Sequence, residues 1–244
     1  MEFLEAVLHA NSEISLHVKR LKTADYQSHQ RGAGGDISSG IDLVAESIFI
    51  DHLSSFGCII SEESGVVDHS NTSVKIILDP IDGSENLLSH VPYYGTSVAY
   101  YEEGVCTKAI ITNLANEDVF IKDAQGLRKG TLHSKTYALV RGNPYAKVGL
   151  FERSYCSQKA LPLLHALGVK YRSPGAFALS LAYAHEVTFV LYEGLMRSYD
   201  VAAGCFMCDD LYTFNEEDIF LVSKDKETFD KISQLFISNR LKRG

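Results

Sequence analysis

The sequence predicts a mixed α/β fold, and three observations carry that prediction. Residues 3–21 and about 40–53 place apolar side chains at helical spacing. Residues 93–140 read as short strands joined by tight turns. From about residue 147 onward, helical and strand patterns alternate. A chain of 244 residues can bury a sizeable core, as one large domain or as two intimately joined halves. No linker, repeat or low-complexity tract separates independent units, so a single domain over 1–244 is expected, with halves of about 1–135 and 136–244.

Taken in order, the first helix turns Phe3, Leu4, Val7, Leu8, Ile14, Val18 and Leu21 to one side. Thr23 to Gly35 is polar and ends in Arg31-Gly32-Ala33-Gly34-Gly35, where three glycines in four residues indicate a mobile loop. Such a loop is either a passive linker or a lid that brings Arg31 to an anion, and the acids that follow favour the lid. The second helix, about Gly40 to Leu53, carries Asp36 and Asp42 at its start and Glu46 four residues after Asp42. The helix dipole alone accounts for acids in that position.

Cys58-Ile59-Ile60 is a short buried strand ending in Ser61-Glu62-Glu63-Ser64-Gly65. Val74, Ile76, Ile77 and Leu78 form another, which Pro80 is expected to stop. Gly83 permits a sharp turn, and Ser84 is the expected cap of a short helix through Asn86 and Leu87. Tyr93–Tyr101, Val105–Thr112 and Val119–Lys122 read as consecutive antiparallel strands, with shorter ones at Leu127–Leu132 and Tyr137–Val140.

In the second half, Lys147–Leu167 is predicted helical and divided by Pro162, and Val169–Arg172 is a strand. Pro174-Gly175 opens a helix through Ala184, and Val187–Leu191 is a buried strand. Ser198 caps a helix to Met207 with Asp200 in its first turn. Ile219–Val222 and a helix at about Lys226–Ile237 close the chain.

Composition narrows the function. Hydrophobic content of 45% and charged content of 22% are ordinary for a soluble globular protein. No window approaches a membrane span of ~20 apolar residues, and the N-terminus lacks the pattern of a signal peptide. The five cysteines are scattered and odd in number, which fits reduced thiols in the cytoplasm. Cys205 and Cys208 form a C-x-x-C inside an apolar helical stretch with no second pair, a poor zinc or redox motif. A net charge of −8 argues against a nucleic-acid binder but leaves room for a small phosphorylated substrate beside a bound divalent metal.

The chemistry concentrates in Asp79-Pro80-Ile81-Asp82-Gly83-Ser84-Glu85-Asn86. A strand end there presents two carboxylates beside a helix start, and carboxylates attract Mg²⁺ while free amides attract phosphate. Glu62, Asp79, Asp82 and Asp200 all stand at strand ends or helix starts. Hard oxygen donors without clustered His or Cys favour Mg²⁺ or Mn²⁺ over zinc. So many acids around one point could not all ionise without cations. Two metals would let one activate a water and the other steady the leaving oxygen. Ser84, backed by Asp42, suits the relay of the water proton.

Three motifs, Glu62-Glu63-Ser64, Asp79 to Asn86 and Tyr199-Asp200-Val201-Ala202-Ala203-Gly204, resemble in chain order those of the inositol monophosphatase family. The resemblance reaches from the N-terminal helices to about residue 222. It implies a layered α/β/α/β/α sandwich of the inositol monophosphatase and fructose-1,6-bisphosphatase type, and a homodimer. It also implies that Glu62, Asp79 and the Ile81 carbonyl hold a first Mg²⁺, and that Asp79, Asp82 and Asp200 hold a second. A third, weaker Mg²⁺ would lean on the Glu62 region. By the same resemblance Ser84 and Asp42 activate the water, the amides of Gly83 and Ser84 receive phosphate, and Glu193 meets substrate hydroxyls.

The sequence departs from the family pattern at several points. Arg31 replaces the loop lysine, Ser61 a glycine, Ser84 a threonine, and Tyr199 a tryptophan. Gly175-Ala176-Phe177-Ala178 alters a small-residue segment. The metal chemistry survives these changes, whereas Arg31 and Phe177 bear on specificity. The expected activity is a Mg²⁺-dependent phosphomonoesterase for a small polyol or sugar phosphate, by direct attack of metal-bound water, with an inositol-1-phosphate-like substrate leading on motif match. Adenosine bisphosphate, fructose bisphosphate and histidinol phosphate are alternatives, as is a catalytically idle regulator that kept the metal site. A haloacid-dehalogenase-like phosphatase lacks its Asp-x-Asp here, and a nuclease lacks a basic, aromatic track.

Overall fold

A computed structural model describes residues 2–67, 73–216 and 218–241. Helix α1 (Phe3–Val18), a 3-10 turn at Thr23–Tyr26 and strands β1 (Ser28–Arg31) and β2 (Ile37–Ser39) lead into helix α2 (Gly40–Leu53). Strands β3 (Cys58–Ser61), β4 (Gly65–Val66) and β5 (Val74–Asp82) precede the short helix α3 (Ser84–Leu88). Strands β6 (Gly95–Glu102), β7 (Val105–Asn113), β8 (Asp118–Asp123), β9 (Gly126–Thr131) and β10 (Ala138–Leu139) follow. They complete an eight-stranded sheet in the order β10-β9-β8-β7-β6-β5-β3-β4. Within it β3 and β5 run parallel, and the other neighbours antiparallel.

The rest of the chain alternates. Strand β11 (Gly149–Glu152), helix α4 (Ala160–Leu167), strand β12 (Tyr171–Arg172), helix α5 (Phe177–Ala182) and strand β13 (Val190–Glu193) come first. Helix α6 (Ser198–Met207), strands β14 (Tyr212–Glu216) and β15 (Ile219–Ser223) and helix α7 (Lys226–Leu241) complete it. The second sheet has five strands in the order β12-β11-β13-β15-β14, with β11 parallel to both its neighbours.

Alternation along each strand sorts side chains to two faces and so builds the layers. Ile76, Leu78, Val98 and Ile110 meet Val7, Ile14, Ile41 and Phe49 of α1 and α2. Their neighbours Ala99, Ala109, Ile111 and Phe120 face the other way, onto Leu179, Ala182, Ala203 and Met207 of α5 and α6. Those two helices also cover Val190, Tyr192, Phe220 and Val222 of the second sheet, through Phe177 and Leu181 of α5 and Val201 and Cys205 of α6. The far face, with Phe151, Leu191 and Leu221, is closed by Leu164 of α4 and by Ile232 and Phe236 of α7. The result is the expected α/β/α/β/α stack. Gly204 lets α5 and α6 approach closely, since a Cβ there would lie 2.4 Å from Leu181.

Local expectations fail in several places. Residues 149–152 form β11, not helix, because they pair with β13, and a Cβ at Gly149 would sit 2.3 Å from the Phe189 ring. Helix α4 starts only at Ala160, which puts Pro162 in a first turn that tolerates it. Strand β5 runs through Pro80 to Asp82 by way of a bulge. Asp79 pairs with Ser97 and Asp82 with Gly95, so one extra residue leaves the ladder where Pro80 has no N–H to offer. Ser84 and Ser198 are first helical residues, and the caps are Gly83, in the left-handed region at φ 84°, and Arg197. Strand β14 escaped the pattern because its side chains are mostly exposed.

Candidate active site

Parallel pairing of β3 and β5 sets the site. Ser61 lies opposite Leu78, so the next residues, Glu62 just past the end of β3 and Asp79 still within β5, stand side by side. The start of α6 brings Asp200 to them across the central helical layer. Carboxylate oxygens of Glu62, Asp79 and Asp200 all lie within 4.8 Å of one another. Asp79 is 2% exposed, and its Oδ1 has no hydrogen-bond partner. The bulge after Asp79 changes the phase of the pleat, and Asp82 is buried against α5, where Oδ2 accepts the Leu179 N–H at 2.7 Å.

These acids strain one another electrostatically. Burial, reinforced by the charges of Glu62, Asp82 and Asp200, pushes the Asp79 carboxyl well above the usual range. Burial does the same to Asp82, against the Leu179 hydrogen bond. Glu62 is pushed up to about 7, chiefly by burial, with the Arg197 guanidinium pulling the other way. Buried carboxylates this close need compensating positive charge. An unmatched buried oxygen inside an all-oxygen cluster fits a hard divalent cation such as Mg²⁺ or Mn²⁺.

Asp42 stands in the first turn of α2. Its Oδ2 accepts the Ser39 N–H at 2.7 Å and the Ser39 hydroxyl at 2.8 Å, while Oδ1 is buried without a partner. Burial raises its pKa. Ser84 opens α3 directly after Gly83. A Cβ on Gly83 would lie 2.9 Å from that of Ala176, so this turn is packed against the Gly175–Ala176 turn. Asn86 ties the two together by donating to the carbonyls of Tyr93 at 2.7 Å and Pro174 at 2.6 Å. Ile81, whose carbonyl is an expected ligand, lies within the bulge between the two aspartates.

Two other expected residues, Arg31 and Glu193, make hydrogen bonds within the protein. Arg31 ends β1 and donates to the Gly35 carbonyl of its own hairpin. The glycine segment is correspondingly docked, its Ala33 and Gly34 N–H groups donating to the carbonyls of Glu63 at 2.8 Å and Glu62 at 2.7 Å. Glu193, at the end of β13, accepts the Ser157 hydroxyl at 2.6 Å and backbone N–H groups of Gln158, Lys159 and Ala160 at the start of α4. Sequence reasoning missed Arg197, whose guanidinium contacts both Asp200 and Glu62. Its place three residues before Asp200 at a helix start was the available signal.

The layered fold and this carboxylate corner narrow the chain to one class of α/β protein. The inositol monophosphatase family model matches residues 3–210, and the chain belongs to that family. Among curated relatives, Nus factor SuhB of Vibrio cholerae serotype O1 is 26% identical over 214 residues, covering 82% of this chain and 79% of that protein. Fructose-1,6-bisphosphatase of Pyrococcus furiosus is 27% identical over 181 residues, covering 72% and 68%. A crystal structure described as an inositol monophosphatase–fructose 1,6-bisphosphatase superposes with a TM-score of 0.79 at 20% identity, over 96% of this chain and 100% of that one. The fold is therefore shared. Among the described residues, no helix is long and apolar enough to cross a membrane.

Proposed function

We propose that this chain is a Mg²⁺-dependent phosphomonoesterase acting on a small polyol or sugar phosphate, with an inositol-1-phosphate-like compound as first candidate. The observation that carries the reading is the partnerless, buried Oδ1 of Asp79 inside the Glu62–Asp79–Asp200 cluster. Glu62, Asp79, Asp82, Asp200 and the Ile81 carbonyl would hold two cations, with a third, weaker one near Glu62. The metals would supply charge neutralisation at the phosphate and a water of lowered pKa. Ser84 would orient that water and pass its proton to the free oxygen of Asp42. Backbone N–H groups of Gly83 and Ser84 at the start of α3 would receive the phosphate.

Fructose-1,6-bisphosphatase, 3'(2'),5'-bisphosphate nucleotidase and histidinol-phosphatase activities fit the same residues. The name Nus factor carried by relatives favours a second reading, a metal-binding regulator without turnover. Phosphate release over a panel of phosphomonoesters, with Mg²⁺ and with EDTA, separates them. Release that EDTA abolishes supports the enzyme, and silence on every compound favours the regulator. A homodimer in the cytoplasm belongs to this proposal, and light scattering tests the dimer.

A further inference from the structure

Arg197 plays no part in the reading above, yet among the described residues no other cation contacts the acid corner so extensively. Its guanidinium forks onto Asp200, Nε donating to Oδ2 and Nη2 to Oδ1, each at 3.0 Å. Nη1 lies 2.9 Å from Glu62 Oε1. The same nitrogen reaches into the loop between β1 and β2, donating to the Gly34 carbonyl at 3.0 Å and to Asp36 Oδ2 at 2.7 Å. One planar group thus joins two of the three clustered acids to the glycine hairpin. Arginine does not lose its charge in proteins, and its fork matches a carboxylate edge to edge.

A divalent ion shared by Glu62, Asp79 and Asp200 would draw on two carboxylates that Arg197 already engages, and would sit beside a fixed positive charge. Asp36 offers a second berth, because its side chain is 82% exposed and free to follow the guanidinium outward. We propose that Arg197 is a positioning residue that competes with the divalent metal for Asp200 and Glu62, so that metal loading loosens the tie between α6 and the β1–β2 hairpin. The inference rests on the metal reading of the corner. Coupling of this kind is reciprocal: whatever Arg197 takes from metal affinity, the metal takes from the hold on the hairpin.

Calorimetric titration with Mn²⁺ alone tests the competition, and trypsin cleavage after Arg31, on the hairpin, tests the coupling. Arg197→Gln is expected to bind Mn²⁺ about five- to tenfold more tightly than the wild type. Arg197→Lys, which keeps the charge but not the fork, falls between. Mn²⁺ should speed cleavage after Arg31 in the wild type, whereas Arg197→Gln is cut quickly with or without it. Equal or weaker Mn²⁺ binding by a folded Arg197→Gln overturns the inference and leaves the metal site standing. If that variant does not fold, equal or weaker binding by Arg197→Lys has the same force. A wild-type protein that takes up no Mn²⁺ overturns both the inference and the metal reading.

Discussion

Two pairs of parallel strands in this molecule end in carboxylates, one pair in each sheet. Strands β3 and β5 deliver Glu62 and Asp79, and β11 and β13 end in Glu152 and Glu193. The second pair is satisfied. Glu152, 1% exposed, accepts the Gly175 N–H at 2.8 Å and the Ser180 hydroxyl, and Glu193 collects a hydroxyl and three backbone N–H groups. The first pair is not, for Asp79 keeps a buried oxygen with no donor. An acid at a strand end is therefore not a metal ligand by position alone. What distinguishes the two corners is whether the protein itself supplies the donors.

The comparison breaks most sharply at Asp79. Asp79→Asn should lower phosphate release by a factor on the order of 10³, the scale on which removal of transition-state electrostatics acts. In EDTA the same change should leave the melting temperature unchanged or raise it, because it removes a charge the fold does not match. A clear loss of stability in EDTA would show that Asp79 is a structural acid like those of the other sheet. Glu152→Ala is the counterpart. It removes the acceptor of the Gly175 N–H and one of the two partners of the buried Ser180 hydroxyl, which keeps Tyr93, costing about 3 kcal/mol, or roughly 6–12 °C in a chain of this size. That loss, read by calorimetry, should be the same with and without Mg²⁺.

The difference between the corners was only partly legible in the sequence. Acids at the ends of apolar runs were visible, and so were the helix starts that carry Asp42 and Asp200, because capping and hydrophobic periodicity are local. Which acids would meet donors was not visible. Glu193 is occupied because α4 begins beside it, and residues 147–167 read as a helix divided at Pro162, with no start at Ala160. Strand β11 was lost for the same reason, since nothing local marks Gly149 as the residue on which the Phe189 ring rests. Arg197 was overlooked because its partners Glu62 and Asp36 lie far away in sequence. The bulge at Pro80, which takes one residue out of the ladder between the two aspartates, follows from pairing with β6 rather than from the residues themselves.

Acidity sharpens the contrast further. The Glu62 carboxyl sits at about 7 in the fold against an ordinary 4.5. Between those values the folded chain holds a proton that the unfolded chain has released, so stability falls as pH rises from about 4.5 through 7. Asp79 and Asp82, also raised, act in the same direction. In EDTA the melting temperature should therefore drop by about 5 °C between pH 5 and pH 8, and Mg²⁺ should abolish most of the drop. A flat profile in EDTA would mean that Arg197 already balances the corner.

Glu193 gives the smallest effect and the finest discrimination. Its carboxylate holds the opening of α4 through Ser157 and the backbone N–H groups that follow. Glu193→Gln weakens that cap, worth about 1 kcal/mol, so the melting temperature should fall by about 2–4 °C. A purely structural acid changes nothing else, and KM and kcat for the best substrate of the panel should then stay near wild-type values. If Glu193 also meets substrate hydroxyls, KM rises severalfold while kcat holds, because a contact made equally in ground and transition states affects binding alone. The ratio of the two shifts thus decides whether this strand end belongs wholly to the satisfied corner or lends one oxygen to the other.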